Sequence, residues 1–434
     1  MSTASADLQA GPIARDVVPR LRCLQCGGRA HALVAEGIRC GSCGRVAAVH
    51  DGVVHCPAPD EDAAVVAERA AVLEFDAHPR DASGFTIADV LVDARVQDTV
   101  LALPYGSGDD APASEYVQNV RKFAPAFDYL LDQLALAPGA AVLDVGADLT
   151  WSTARLARNG YRPIAIDINH HLAAAPVLGA RGVPYAAVNA DMHAPAFGDG
   201  VFDAITAFNA LHHSARLTEL AANLARMLRV DGRLGFVEAY WYYPEAKAAF
   251  GVDEIAAGIN ENVYRLEEWH SALVGAGLEL VSFAAGRSFD AVYRKTGRPG
   301  RRITPAEAAG ELFGTFYMVE IEAPQAVVER PCGTAATVDV VVANRAMAAW
   351  TSDSQIPVFA SYHLTRDGEM LSFDNVRTLL PGYVAPGTRV TVPLRVDVPD
   401  TPGTYVVGVD LVHEAITWFA DREGLVGTFT LVAR

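Results

Sequence analysis

Between residues 140 and 240 the chain alternates short apolar runs with amphipathic ones: AVLDV then TARLARNG, PIAID then HHLAAAPVLGARG, PYAAV, VFDAITAFN then TELAANLARMLR, and finally GRLGFVEAY. Strand-length apolar runs separated by stretches of helical period predict a parallel sheet with crossover helices, an α/β doubly wound domain. Upstream, AAVVAERAAVLEF and EYVQNVRKFAPAFDYLLDQLAL carry helical spacing, and Pro125 is expected to break or kink the second. Beyond Pro324 the period falls to two in TVDVVVAN, PVFASYHLT, RVTVPLRV, TYVVGVDLV and GTFTLV, with RDGE, PG and TPG turns between them. That rhythm predicts an antiparallel β-sandwich.

Punctuation then divides the chain. Residues 1–20 read as a loose Ala/Ser-rich tail, 21–60 as a compact Cys- and Gly-rich module, 61–323 as the α/β domain and 324–434 as the sandwich, a module for glycan binding or self-association. With 434 residues, 51% hydrophobic and 20% charged, there is material for several cores, which excludes a disordered or fibrous protein. No apolar run approaches the roughly 18 residues of a membrane helix. The first residues lack the layout of a signal peptide. A formal charge of −17 opposes binding to a polyanion. The expectation is a cytoplasmic protein with no membrane span, acting on a small molecule or saccharide rather than nucleic acid.

Four of the six cysteines fall in two pairs, Cys23-x2-Cys26 and Cys40-x2-Cys43, with Gly27, Gly28, Gly41 and Gly44 to permit tight knuckles. Paired thiolates at this spacing suit a tetrahedral structural Zn²⁺, a zinc ribbon. Four cysteines leave no open coordination position, so such an ion holds the fold rather than doing chemistry. Cys56, His31, His50 and His55 are bystanders in this reading.

In the α/β segment Asp144 closes the first strand and Gly146 stands where the backbone must turn into a helix, while Asp167 closes the second strand about twenty residues on. Acidic strand ends at this separation suit a ribose diol held at the carboxyl edge of the sheet. With LDVG, the acidic Asp167, the pair Asp191 and Met192 in NADMHAPAF, and FNALHH, the stretch from about Tyr116 to Glu238 resembles the class I S-adenosylmethionine-dependent methyltransferases of small-molecule type. The resemblance implies a Rossmann-like domain. Asp144 and Gly146 would lie against the methionine end of S-adenosylmethionine, Asp167 on the ribose, Asp191 and Met192 beside the adenine, and Asn209 on the cofactor floor. One departure stands out: Asp148 and Thr150 occupy positions where this family usually has further glycines.

Methyl transfer to oxygen calls for an aligned acceptor and a base. His212 and His213 beyond the fourth strand, and Glu238 at the end of the fifth, are the candidates. Tyr240, Trp241, Tyr242 and Tyr243 follow the fifth strand, where aromatic faces could stack on a sugar ring or serve as lid packing. If LELVSF and TFYMVEIE are the sixth and seventh strands, the segment between them, with Arg287, Arg294, Lys295, Arg298, Arg301 and Arg302, falls on the active-site edge, where Arg294 and Arg298 could hold a phosphate. Asn260, Glu261 and Asn262 are further polar candidates. The C-terminal run from Asn344 to Gly424 resembles β-sandwich modules of bacterial polysaccharide-processing proteins, in which Trp350 and Trp418 are core residues or carbohydrate platforms. The sequence reading is therefore a zinc-bearing methyltransferase that methylates, most directly at oxygen, a saccharide or nucleotide-linked sugar, and self-associates through its sandwich. The alternatives are a non-catalytic scaffold or glycan-binding protein, a sugar C-methyltransferase, and an rRNA methyltransferase.

Overall fold

The computed structural model describes residues 11–77, 86–106, 114–242, 244–422 and 424–434. By internal contacts the chain divides into two units, residues 1–280 with 292–303, and residues 281–291 with 304–434.

The first unit opens with four short strands, β1 (His31–Val34), β2 (Gly37–Cys40), β3 (Val46–His50) and β4 (Val53–His55), followed by the helix α1 (Ala63–Ala77). The alternating segment then supplies β5 (Ala141–Val145), α2 (Trp151–Arg158), β6 (Arg162–Asp167), β7 (Ala186–Asn189), β8 (Phe202–Phe208), α3 (Leu217–Met227) and β9 (Leu228–Glu238). A further helix, α4 (Leu266–Gly275), precedes β10 (Leu278–Ala285) and β11 (Phe289–Lys295), of which residues 281–291 count with the second unit. Within the first unit the strand order is β1-β2-β3-β4-β7-β6-β5-β8-β9. From β7 to β9 every neighbour runs parallel, and β5 sits between β6 and β8. The chain reverses its direction of travel across the sheet at β5, which opens a crevice at the carboxyl ends. Strands buried on both faces account for the unbroken apolar runs: Val142, Leu143, Ile164, Ala165, Ile205, Ala207 and Phe236 are all inaccessible.

Three expectations are corrected here. Residues 1–10 lie outside the described residues, but 13–20 are no tail: two short helical turns bury Ile13, Asp16 and Val17, because this stretch carries apolar side chains among its charges. The cysteine module is not a separate body, since β4 runs parallel beside β7 with Val54 opposite Val188. The strand that follows LELVSF is Phe289–Lys295 rather than TFYMVEIE, so the expected connection is itself a strand. Its apolar residues Phe289, Ala291, Val292 and Tyr293 are buried, and the flanking basic residues disguised them as a linker. Pro125 does interrupt its helical stretch, which splits into Glu115–Arg121 and Ala124–Leu134 with the proline in the first turn of the second.

In the second unit, β12 (Val319–Glu322), β14 (Ala335–Asn344) and β19 (Arg389–Asp397) form one antiparallel sheet. A second sheet runs β13 (Val328–Arg330), β22 (Gly427–Ala433), β20 (Gly403–His413), β16 (Val358–Arg366), β17 (Glu369–Ser372). Burial alternates along β14 and β19, as period two requires when one face of a sheet is covered. Trp350 is fully buried, donates its indole N–H to the Phe316 carbonyl at 2.9 Å and meets the edge of Phe419, so it is a core residue and no platform. Trp418 is half-buried between His363, Phe373 and the Arg377 guanidinium, 5.2 Å from its ring centre. This unit also takes in 304–323, ahead of the boundary expected at 324.

Candidate functional site

The crevice is built on the turn from β5 into α2. Gly146 has φ +66°, and a Cβ added there would lie 2.1 Å from the Cβ of Ala210, in the loop after β8. Only glycine fits both the left-handed backbone and that close approach. Asp144 stands below the turn and ties helix to strand: Ser152 and Thr153 of the first turn of α2 each donate to Oδ2 at 2.6 Å, and Thr206 donates to Oδ1 at 2.8 Å. It is buried, and burial raises its pKa.

Asp148 and Thr150 both hold positive φ, 45° and 62°, so the backbone follows a glycine-like path without glycine. Their side chains are led elsewhere. Thr150 is buried and hydrogen-bonded to the Tyr185 hydroxyl at 2.7 Å. Asp148 is paired with Nδ1 of His171, whose Nε2 lies 2.6 Å from Asp76 on α1. Burial alone would lower the pKa of His171, but Asp148 and Asp76 outweigh it and raise it to about 10; the same pairing lowers that of Asp148. Asp167, at the end of β6, accepts the Asp148 N–H on Oδ2 at 2.9 Å and the Asn169 N–H on Oδ1 at 3.0 Å. Each oxygen keeps acceptor capacity toward the crevice. Asp191 accepts from the backbone and ring of His193 at 2.8 and 3.0 Å, Met192 beside it is half-buried, and Asn209 is exposed with φ 55° at the end of β8.

The histidine pair follows directly. His212 is buried, with Nδ1 2.7 Å from Glu238 Oε2 and Nε2 3.1 Å from Glu261 Oε2. Burial pulls its pKa down, and the two carboxylates more than offset this, to about 10. Glu238, also fully buried, takes the N–H groups of Ala210 and Leu211 on Oε1 at 2.9 and 2.6 Å and that of His212 on Oε2 at 3.3 Å. Both were candidate bases. The His212 ring is clamped between Glu238 and Glu261, and Glu238 itself is spent on the turn. His213 is half-buried, with Nδ1 2.6 Å from the Asn260 carbonyl and 3.1 Å from Glu68 of α1. Asn262 reaches this loop through its backbone, donating to the His212 carbonyl at 3.0 Å.

Among the aromatic candidates, Tyr240 is buried and bridges Tyr264; Trp241 is half-buried with Lys247 and Arg265 over its ring at 5.1 and 5.2 Å; Tyr242 is half-buried; Tyr243 lies outside the described residues. Arg294, Lys295 and Arg298 are not at the crevice: Arg294 pairs with Asp231 and Glu279, and Lys295 caps the carbonyls of Arg226 and Leu228 where β9 begins, at the amino ends of the parallel strands, with Arg298 exposed. Arg287, before Phe289–Lys295 and so at the other end of that strand, pairs with Asp353 at 2.7 Å. Sequence reasoning missed Glu68, Asp76 and His171. The doubled histidines after Asp167 were the available hint, while α1 reads as an ordinary helix and gives no sign that it spans from the β6 end to the β8 end.

The four cysteines converge. In each knuckle a glycine N–H returns to the first cysteine carbonyl, Gly27 to Cys23 at 2.8 Å and Gly44 to Cys40 at 2.9 Å. The sulfurs lie within 4.8 Å of one another, Cys23 and Cys43 at 3.6 Å, Cys26 and Cys40 at 3.7 Å. Thiolates about 2.3 Å from a tetrahedral zinc stand about 3.8 Å apart, so the donor set fits that ion. Cys56 is buried outside the cluster, its thiol pushed up to about 12 by burial.

Residues 143–236 match the family model of the methyltransferase domain. The chain is 39% identical over 107 residues to the demethylmenaquinone methyltransferase of Mycolicibacterium vanbaalenii, a match covering 24% of this chain and 43% of that protein. It is 37% identical over 101 residues to the enzyme of the same name from Mycobacterium tuberculosis, covering 23% and 42%. The chain thus spans less than half the length of the curated relatives it matches. Among solved structures, geranyl diphosphate C-methyltransferase from Streptomyces coelicolor overlaps 38% of this chain and 64% of its own, with 17% identity and a TM-score of 0.34. What these matches share with the chain is a methyltransferase domain over residues 143–236, the stretch that builds the turn at Gly146 and the strand ends at Asp167 and Asp191.

Proposed function

We propose that the protein transfers a methyl group from S-adenosylmethionine to a hydroxyl oxygen of a saccharide. The observation that carries the reading is the carboxyl-edge crevice, where Gly146 lets two loops meet while Asp167 and Asp191 stand at the next two strand ends. Asp167 would hold the ribose, Asp191 and Met192 the adenine, and Asn209 the floor beneath. The bound cofactor supplies an electrophilic methyl, and the chain's task is to align an acceptor and exclude water. Beyond β8 the lining is ionisable and polar, His213, Glu68, Asn260 and Glu261, which suits a polyhydroxylated acceptor better than an apolar one. The nucleotide-linked variant loses its support with Arg294 and Arg298 at the far edge.

A Zn²⁺ held by Cys23, Cys26, Cys40 and Cys43, a sandwich arrangement of the two C-terminal sheets serving glycan binding or self-association, and a cytoplasmic location complete the proposal. Methylation of a demethylmenaquinone is the second reading, favoured by the name of the curated relatives. Their match is confined to about a quarter of this chain. Calorimetry with S-adenosylmethionine is expected to give one site; no heat up to about millimolar concentration, the weak end of ligand affinities, overturns the enzymatic reading in favour of a scaffold. Label from methyl-tritiated cofactor should then enter a saccharide panel. Incorporation into a demethylmenaquinone alone replaces the acceptor.

A further inference from the structure

His212, His213, Glu238, Glu261 and Glu68 form a cluster whose charges do not balance. Its three carboxylates are 0%, 7% and 10% exposed, yet among the described residues their ion-pair partners are the two histidines, and neither lysine nor arginine reaches them. Buried carboxylates without full compensation are costly, so the cluster calls for a cation.

The donor geometry says which kind. One donor atom each from His212, His213 and Glu261 lies within 4.8 Å of the others. Two bonds of about 2.1 Å meeting at the angles of an octahedral or tetrahedral ion separate their donors by about 3.0 to 3.4 Å. His212 Nε2 and Glu261 Oε2 are 3.1 Å apart, inside that range, and His213 Nδ1 stands 3.9 Å from the other Glu261 oxygen. On the far side of His212, Glu238 holds Nδ1 at 2.7 Å, which orients the ring and leaves Nε2 directed at Glu261. A carboxylate behind a ligating imidazole is the usual outer support of a metal-bound histidine. Two imidazoles with one carboxylate suit a first-row divalent transition ion rather than Mg²⁺ or Ca²⁺, which take oxygen almost alone.

We propose that His212, His213 and Glu261 bind a divalent transition-metal ion at the acceptor side of the crevice, separate from the four-cysteine site. Three protein ligands leave coordination positions open, and an oxygen of the acceptor fits one of them. The role in the reaction rests on the methyl-transfer reading, but the site itself does not, because metal binding can be measured without cofactor.

The test uses the full chain, with its cysteine site left loaded, and Mn²⁺, an ion that thiolates do not favour. Calorimetry and electron paramagnetic resonance should find one Mn²⁺ per chain. Glu261→Gln and His213→Gln should each weaken it by about tenfold or more, with melting curves checked in parallel. Absence of binding up to about 1 mM, the weakest range of biological ion sites, overturns the proposal, as does affinity unchanged in both variants. If either variant does not fold, paramagnetic broadening of the His212 and His213 ring signals in the natural protein decides: sharp signals at saturating Mn²⁺ overturn it. Failure of S-adenosylmethionine to bind in a separate titration would remove the enzymatic reading and leave the metal result standing.

Discussion

Glu238 Oε2 holds the Nδ1–H of His212 at 2.7 Å while its other oxygen takes the backbone N–H groups of Ala210 and Leu211, so one buried carboxylate shapes the whole turn beyond β8. Removing it would strand three backbone donors and an imidazolium in the interior. Glu238→Ala should therefore cost about 3 to 5 kcal/mol, the range for breaking a buried charged pair. Urea unfolding reads this, and a loss under about 1 kcal/mol would mean the turn has other supports.

The clamped His171 gives the stability a defined alkaline limb. Its pKa is raised from 6.5 to about 10 in the folded chain, burial being outweighed by Asp148 and Asp76. Between those values the folded state binds a proton that the unfolded chain has released, so this contribution is complete below 6.5 and is lost as pH rises through about 10. Asp148 adds the opposite sign: its lowered pKa contributes above the ordinary carboxylate value and is lost in acid. Thermal melts from neutral to alkaline pH should show the decline, and His171→Gln should flatten part of it.

Gly146→Ala drives a methyl group into the Cβ of Ala210 and forces an alanine to φ +66°. Overpacking and left-handed strain each cost about 1 to 3 kcal/mol, and the loop would have to open to relieve them. Stability should fall by about 2 kcal/mol or more together with cofactor affinity. A variant that binds S-adenosylmethionine as the natural protein does would refute the close packing of these loops.

Metal analysis should return one zinc per chain, and stripping it with a strong chelator should lower the melting temperature by several degrees. The expected coupling comes from β4, which is hydrogen-bonded along β7 and cannot come apart without disturbing the sheet. Cys40→Ser should behave like the chelated protein.

Arg294→Ala should leave both acceptor KM and stability nearly unchanged. Its partners, Asp231 and Glu279, are exposed, and such surface pairs contribute about 0 to 1 kcal/mol. A raised KM would place the basic segment back at the crevice.

What the sequence made legible follows from what local patterns encode. Strand-length apolar runs ending in Asp144 and Asp167 located β5 and β6 because strands buried on both faces carry their signature in consecutive residues. The cysteine knuckles were legible for a similar reason, all four donors falling within twenty-one positions. The strand Phe289–Lys295 was hidden because charges at both ends drowned five buried residues. Glu68, Asp76 and Glu261 were illegible as partners of the histidines, since contacts of Glu68 with His213 and Asp76 with His171 join residues about a hundred or more positions apart, and no local rule reports them. Asp144 shows the converse: its three hydroxyl donors come from the next helix and a neighbouring strand, and only the fold reveals that it ties the two together.

The pairing of β4 with β7 also makes the small cysteine-rich segment the selvedge of the parallel sheet. Were it to unravel, the buried row Ala186, Ala187 and Val188 would become a bare, adhesive rim ready to recruit any passing strand. In a metal-starved cell the fault would then surface as aggregated deposits, visible by light scattering, before it surfaced as an idle but soluble catalyst.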